Sequence, residues 1–226
     1  ELSNTEINYE INDDETLTEN ITLSNIGEEE SILSYTISTS PLIYSAGNDD
    51  YGNHWIDSDL NTDNNYDWID ISQSNQVQFE NNDDGIYTDI GFDFKFYGNS
   101  YSQLLINPNG WVGFGENNNE WSNETLPNDE GPQNAIFAFW DDLNPENDGN
   151  SCSNEGQGNV YYENLDDKLI VWFNNVVIWQ NNAVSGQFDF QIVLHGDGRF
   201  EINYNDIIGS SASATVGFQD ASGNYG

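Results

Sequence analysis

Across 226 residues, forty acidic side chains face three basic ones, a formal net charge of −37. Phosphate recognition needs Lys and Arg to displace counterions, so a nucleic-acid partner is excluded, and docking on an anionic membrane surface is disfavoured for the same reason. A folded domain so charged repels itself unless cations condense on it or bind specifically, which points to a cation-rich medium and to carboxylates that hold a metal.

Hydrophobic residues make up 36% of the chain and aromatics 14%, including seven Trp. Large aromatic side chains each bury much area, so a core is expected despite the polar average, and disorder is not. No apolar stretch approaches the roughly 18 residues that cross a bilayer, so a secreted or cell-surface protein without membrane insertion is expected. Met is absent, including at position 1, so the chain reads as a processed product. Cys152 stands alone in Asn150-Ser-Cys-Ser-Asn-Glu-Gly156; it offers neither an internal disulfide nor a Cys-based metal or catalytic pair, and its simplest reading is a loop thiol.

In chain order, apolar residues recur at period two or in short runs bounded by Asn, Asp and Gly, which predicts strands joined by turns. Residues 1–44 hold three such runs, Thr5–Ile11, Thr16–Ser24 and Ile32–Thr39. Three strands rarely close a core alone, so this segment is expected to be part of a sheet completed by something else. An exposed edge there would invite strand addition and end-to-end assembly. Residues Pro41–Asp70 carry aromatics in acidic, Asn-rich loops.

Beyond Val77 the strand pattern is strong. Expected strands are Gln76–Glu80, Gly91–Tyr97, Ser102–Ile106, Trp111–Gly115, Ala135–Trp140, Asn159–Glu163, Lys168–Trp179, Phe188–His195, Arg199–Tyr204 and Ala214–Gln219. Asn109-Gly110 predicts a type I′ hairpin turn with both residues at positive φ, and Gly196-Asp197-Gly198 predicts a second tight hairpin. Short strands, hairpin turns and no helical periodicity point to an antiparallel β-sandwich, all-β in class.

Several motifs in this order resemble a known module. They are Ile90-Gly-Phe-Asp-Phe-Lys-Phe-Tyr-Gly98, Asn107-Pro-Asn-Gly-Trp-Val-Gly-Phe-Gly115 and Asn134-Ala-Ile-Phe-Ala-Phe-Trp-Asp-Asp-Leu-Asn-Pro145. Gly158-Asn-Val-Tyr-Tyr162, Leu169-Ile-Val-Trp-Phe-Asn-Asn-Val176, Phe188-Asp-Phe-Gln-Ile-Val-Leu194 and Ala214-Thr-Val-Gly-Phe-Gln219 complete the set. The chain resembles the nidogen-like module of secreted bacterial proteins, found beside peptidase domains or ahead of surface-sorting tails. Asp50-Tyr-Gly-Asn-His-Trp-Ile-Asp-Ser-Asp59 and Tyr66-Asp-Trp-Ile-Asp-Ile71 resemble its lead-in, and Thr22-Leu-Ser-Asn-Ile-Gly27 with Leu33-Ser-Tyr-Thr-Ile37 resembles the opening strands of Ig-like repeats. The resemblance implies a partial Ig-like segment over residues 1–44, a nidogen-like β-sandwich over 45–226, and a non-catalytic role in adhesion, assembly or presentation of a neighbouring domain. It assigns no ligand.

Candidate chemistry is sparse. Asp57, Asp59, Asn61 and Asp63 place oxygen ligands at alternate positions, as the start of a calcium loop does, though the glycine and distal glutamate of an EF-type loop are missing; solvated loop carboxylates are the alternative. Asp141 and Asp142 end the apolar run Ala135–Trp140, with Asn144, Glu146 and Asp148 behind them. A carboxylate beside a core aromatic needs a donor or a metal, so Ca2+ or the N–H groups of the following turn would serve. Asn81-Asn-Asp-Asp-Gly85 reads as a turn. His54 and His195 are the only histidines, and no nucleophile elbow, zincin motif or phosphate loop is present, so no enzyme is expected.

Trp55, Trp68, Trp121 and Trp179 lie in or beside polar loops, where they would either cap the sandwich or stack on sugars as in a carbohydrate-binding module. An accessory domain of a secreted peptidase is a further alternative. The expected partners are neighbouring domains or subunits, extracellular matrix or glycan, or further copies of the chain. The sequons Asn20-Ile-Thr22 and Asn123-Glu-Thr125 would accept glycans only in a host with that machinery. A halophilic habitat would also explain the acidic excess, with dependence on bulk salt rather than on calcium.

Overall fold

Period-two alternation and short apolar runs become strands throughout. The computed structural model describes residues 46–58, 67–116, 119–145, 156–180 and 183–226. The three expected strands before Thr39, and with them the Ig-like segment 1–44, lie outside the described residues. Among the described residues the chain is all-β and antiparallel. In order the strands are β1 (Ala46–Asn48), β2 (His54–Ile56), β3 (Asn75–Gln76), β4 (Ile86–Phe96), β5 (Asn99–Asn107) and β6 (Trp111–Phe114). They continue with β7 (Ala135–Trp140), β8 (Asn159–Leu165), β9 (Lys168–Gln180), β10 (Ala183–His195), β11 (Phe200–Ile208) and β12 (Thr215–Gln219).

Two five-stranded sheets, ordered β11-β10-β9-β8-β3 and β12-β7-β6-β5-β4, form the sandwich expected from the sequence. β1 and β2 pair separately as a small hairpin. The core between the sheets is aromatic: Phe94 and Phe114 stack at 5.3 Å, and Phe173 and Phe190 at 4.7 Å. β10 shows the alternation plainly. Phe188, Phe190, Ile192 and Leu194 belong to this core, while Asp189, Gln191, Val193 and His195 lie on the outer face.

The outer faces are buried as well, because several strands are continuous apolar runs rather than alternating ones. All six residues of β7 and all four of β6 are buried. The outward set Leu105, Trp111, Ala135, Phe137 and Trp140 forms its own cluster, with Leu126 packed on it. Leu126 belongs to a strap, residues 119–134, that crosses this face. Gln219 ties the strap down: its Oε1 accepts the Asn128 N–H at 2.8 Å and its Nε2 donates to the Pro132 carbonyl at 2.8 Å. On the other sheet, Ile170, Trp172 and Val193 pack with Ile71, Trp68 and Ile69 of a second strap, residues 67–74. Gln191 Nε2 donates to the Ile69 carbonyl at 2.7 Å and holds that strap. Burying one indole removes about 200 Å² from water, about 5 kcal/mol at roughly 25 cal/mol per Å², so each strap contributes to the fold through the aromatics it covers.

Two local expectations are corrected. The β5–β6 turn spans three residues, since Asn107 pairs directly with Trp111, and of the turn residues only Gly110 has positive φ (84°). Pro108 fixes its own φ near −65°, which suits a type I turn followed by a left-handed glycine rather than type I′. The expected strand Gln76–Glu80 shortens to Asn75–Gln76. Past Val77, whose N–H donates to the Val160 carbonyl at 2.7 Å, the chain is drawn inward by the buried side chains of Val77 and Phe79.

Candidate functional site

Strand ends decide which polar groups meet. At one end of the sandwich lie the 81–85 turn, the β5–β6 turn and the exit of β7. Asn81 Oδ1 accepts the N–H groups of Asp83 and Asp84 at 2.8 and 2.7 Å, so this segment is the Asx-type turn its sequence suggests. Asn107 Nδ2 donates to the Asp83 carbonyl at 2.9 Å and Asn109 Nδ2 to the Asn82 carbonyl at 3.3 Å, which fastens the acidic turn to the hairpin. Asn109 itself is fully buried, and its Oδ1 has no hydrogen-bond donor.

Asp141 and Asp142 emerge beside this turn. Asp141 is buried; its Oδ1 accepts the Asp142 N–H at 2.9 Å and its Oδ2 the Ser213 hydroxyl at 2.5 Å. Asp142 is half-buried, and its carbonyl accepts the Trp179 N–H at 2.7 Å. Burial first, then the charges of Asp83 and Asp141, pushes the Asp142 carboxyl up to about 6. Asp83 is raised too, chiefly by burial and then by Asp84 and Glu120, against the opposing hydrogen bond from Asn109. Among the described residues no group of three or more His, Cys, Asp or Glu side chains is arranged to hold a metal ion.

An acid with a raised folded-state value binds its proton more tightly in the native chain. Its contribution is therefore greatest near and below the unfolded value and is lost as pH rises through about 6. Asp142→Asn is expected to flatten the pH dependence between about pH 4 and 6 and to raise stability at pH 7 by about 1 kcal/mol, a figure discounted for the solvent screening of a half-exposed group. Denaturant melts at two pH values check this; an unchanged slope in the variant would contradict it.

The other candidate residues are scattered. Asp57 follows β2, exposed, and its charge reaches Tyr204 on β11; Asp59, Asn61 and Asp63 lie outside the described residues, as do Glu146, Asp148 and Cys152. Trp55 stands on β2 at 45% exposure and Trp121 on the 119–134 strap at 49%. Trp68 is half-buried, edge-on to Trp172 at 5.7 Å, and Trp179 is half-buried near the end of β9. The structure thus places the four indoles on four separate elements. His54 is exposed on β2, while His195 is buried at the end of β10 with its Nε2 2.9 Å from Glu201 Oε1, though not aligned for a hydrogen bond.

Sequence reasoning overlooked several anchoring groups. Asp49 is the largest of them: its Oδ1 accepts the N–H groups of Gly52 and Asn53, and its Oδ2 accepts Asn53 Nδ2 and, at 2.6 Å, the Tyr97 hydroxyl. It fixes the β1–β2 hairpin to the sandwich, where Tyr51 packs edge-on against Tyr97 and Tyr225. Asp189 is the second, buried and holding Trp172 Nε1 at 2.5 Å and Asn205 Nδ2 at 2.9 Å. The signal for both was in the sequence: acids in aromatic surroundings with almost no base in the chain must draw donors from amides, indoles and phenols.

These groups hold turns and straps in place; they do not converge on a cavity. Two surface depressions, one lined by Asp89, Gly91, Phe92, Asp93 and Ser102 and the other by residues around Val77, Ile86 and Tyr162, contain no histidine, cysteine or basic side chain. Neither a curated protein nor a solved structure matches the chain. A family model described as NIDO related matches residues 60–226, which is more than half of the sequence and spans both sheets of the sandwich. The chain belongs to the NIDO-related family.

Proposed function

We propose that the chain is a non-catalytic extracellular module of a secreted or cell-surface protein, with a structural or adhesive role toward neighbouring domains, subunits or matrix. The family is a type of extracellular, non-enzymatic module, which supports the coarse reading. The observation that carries the finer one is the use made of buried polar side chains. Gln219, Gln191, Asp189, Asn134 and Asn107 each hold a strap, an indole or a turn. A catalytic site would direct such groups at a shared open volume.

Cation stabilisation belongs to the same reading, supported by the charge of −37. Calcium modules outside the cell bind at roughly 0.1–1 mM. A single site of that affinity, bound only by the native chain, adds about 0.4–1.4 kcal/mol at 1 mM calcium, or a rise in melting temperature of about 1–5 °C. Thermal melts in EDTA, calcium and magnesium at matched ionic strength test this. A rise selective for calcium is expected. Equal melting in all three would leave only general screening of surface carboxylates.

A further inference from the structure

Oxidants find few of their usual targets in this chain. It has no Met and a single Cys, so no internal disulfide can brace it, and those are the side chains that ordinarily take up oxidising equivalents. Tyrosine and tryptophan are the next most readily oxidised. The chain holds twelve Tyr, and among the described residues Tyr51, Tyr87, Tyr204 and Tyr225 are exposed. Of these four, only Tyr51 and Tyr225 are in ring contact, with centroids 5.9 Å apart and planes crossed at 67°.

Both rings are positioned by their backbones rather than by burial. Tyr51 sits in the β1–β2 turn, where Asp49 Oδ1 accepts the N–H groups of the next two residues, Gly52 and Asn53. Its hydroxyl lies over Gly98, 2.8 Å from where a Cβ would stand, so a glycine leaves it room. Tyr225 closes a turn with Asp220: its carbonyl accepts the Asp220 N–H at 2.9 Å and its N–H donates to Asp220 Oδ1 at 3.2 Å. Tyr51 stays 51% exposed and Tyr225 38%, so solvent reaches both. Tyr97 lies 5.0 Å from Tyr51, but Asp49 holds its hydroxyl and its ring packs on Phe96 and Phe218. Rings crossed at 67° and 68° offer no flat platform, so the cluster does not suit stacking on a sugar.

We propose that Tyr51 and Tyr225 form a modification site, at which a peroxidase-type one-electron oxidant joins the two rings as an intramolecular dityrosine. Each phenol gives up one electron and its hydroxyl proton. The two phenoxyl radicals then form a carbon–carbon bond between ring positions ortho to the hydroxyls. The proton on each bonded carbon moves to the oxygen of the same ring, which restores two phenols. Hydrogen peroxide takes up the two electrons and two protons and leaves as two molecules of water. The bond ties the β1–β2 hairpin to the segment after β12, closing a long loop and restraining the unfolded chain as a disulfide does. The proposal rests on the extracellular-module reading for its oxidising medium; the coupling is tested with added oxidant, so it can fail while that reading stands.

Treating the dilute full chain with a haem peroxidase and hydrogen peroxide tests the proposal, read by dityrosine fluorescence of the separated monomer and by peptide mapping. Rings held in contact couple faster than rings of separate molecules meet. The expected product is a monomer lighter by two hydrogen atoms, with the peptides around Tyr51 and Tyr225 linked. Tyr51→Phe and Tyr225→Phe should each lower the monomer's dityrosine yield at least about tenfold. Tyr87→Phe, at a position 50% exposed on β4, should leave it unchanged. The cross-linked chain is expected to melt several degrees above the untreated one. Near-UV circular dichroism confirms that each variant folds. Dityrosine confined to covalent dimers, a link mapped to Tyr97, or a yield unaffected by Tyr51→Phe or Tyr225→Phe would each overturn it.

Discussion

Gly110→Ala is expected to cost at least about 4 kcal/mol, enough to remove much of the 5–15 kcal/mol that holds a typical domain folded. A Cβ at this position would stand 2.0 Å from the carbonyl oxygen of Phe139, closer than any real contact permits. The backbone φ is 84°, which adds roughly 1–2 kcal/mol for a residue with a side chain. The turn cannot retreat cheaply, because the Gly110 carbonyl accepts the N–H groups of both Ala138 and Phe139 at 3.1 Å. Backing away would strip two bonds from β7, a strand buried along its whole length. Gly115→Ala is the control. Its φ is 75°, but the nearest atom to an added Cβ, on Tyr101, is 3.9 Å away, so only the conformational cost of about 1–2 kcal/mol should appear. Urea melts of the two variants separate close approach from φ alone; equal losses would show that the contact with Phe139 relaxes.

Trp140→Ala is the second large effect, with an expected loss of about 3–5 kcal/mol. The indole is fully buried, stacks on Phe137 at 4.8 Å and donates from Nε1 to the Glu120 carbonyl at 3.2 Å. It lies on the outer face of its sheet, so its removal tests whether that face is a second core beneath the 119–134 strap. Trp121, on the same strap and 49% exposed, should tolerate alanine within about 0.5 kcal/mol. A small loss at Trp140 would mean that the strap packs on the sheet without contributing to its stability.

The contrast between these two indoles marks what could be read from the chain. The run Ala135–Trp140 has no polar residue, and a strand of that kind must be covered on both faces; that much of the outer cluster was legible. Its cover was not, since residues 119–134 have no periodicity, and their hold depends on a Gln219 amide that lies about ninety residues away in sequence. Hairpins were legible from glycine placement, while the turn type before β6 depended on Pro108, a local restraint that the Asn-Gly pair outweighed in the reading. Asp141 and Asp142 stood out beside Trp140, but Asp83 did not, because it joins them only through the packing of the β5–β6 turn. Likewise His195 and Lys168 are linked by strand register, whereas Lys95 reaches the β10–β11 turn at Gly198 only when the two sheets stack. Pairings within a sheet follow from turns; contacts between sheets follow from twist and layer order, which no short motif encodes.

The central claim is that both straps are part of the folded core and that neither is a lid over a binding face. Native-state hydrogen exchange of the full chain tests it most directly. The Ser74 N–H, bonded to the Ile71 carbonyl at 3.0 Å, and the Asn128 N–H, bonded to Gln219, report on the two straps. If the account is right, both exchange with nearly the free energy of β7 and β10, through global unfolding. Exchange of either strap well below that level, while the sheets stay protected, would show a segment that opens independently over Trp140 or Trp172 and would contradict the account.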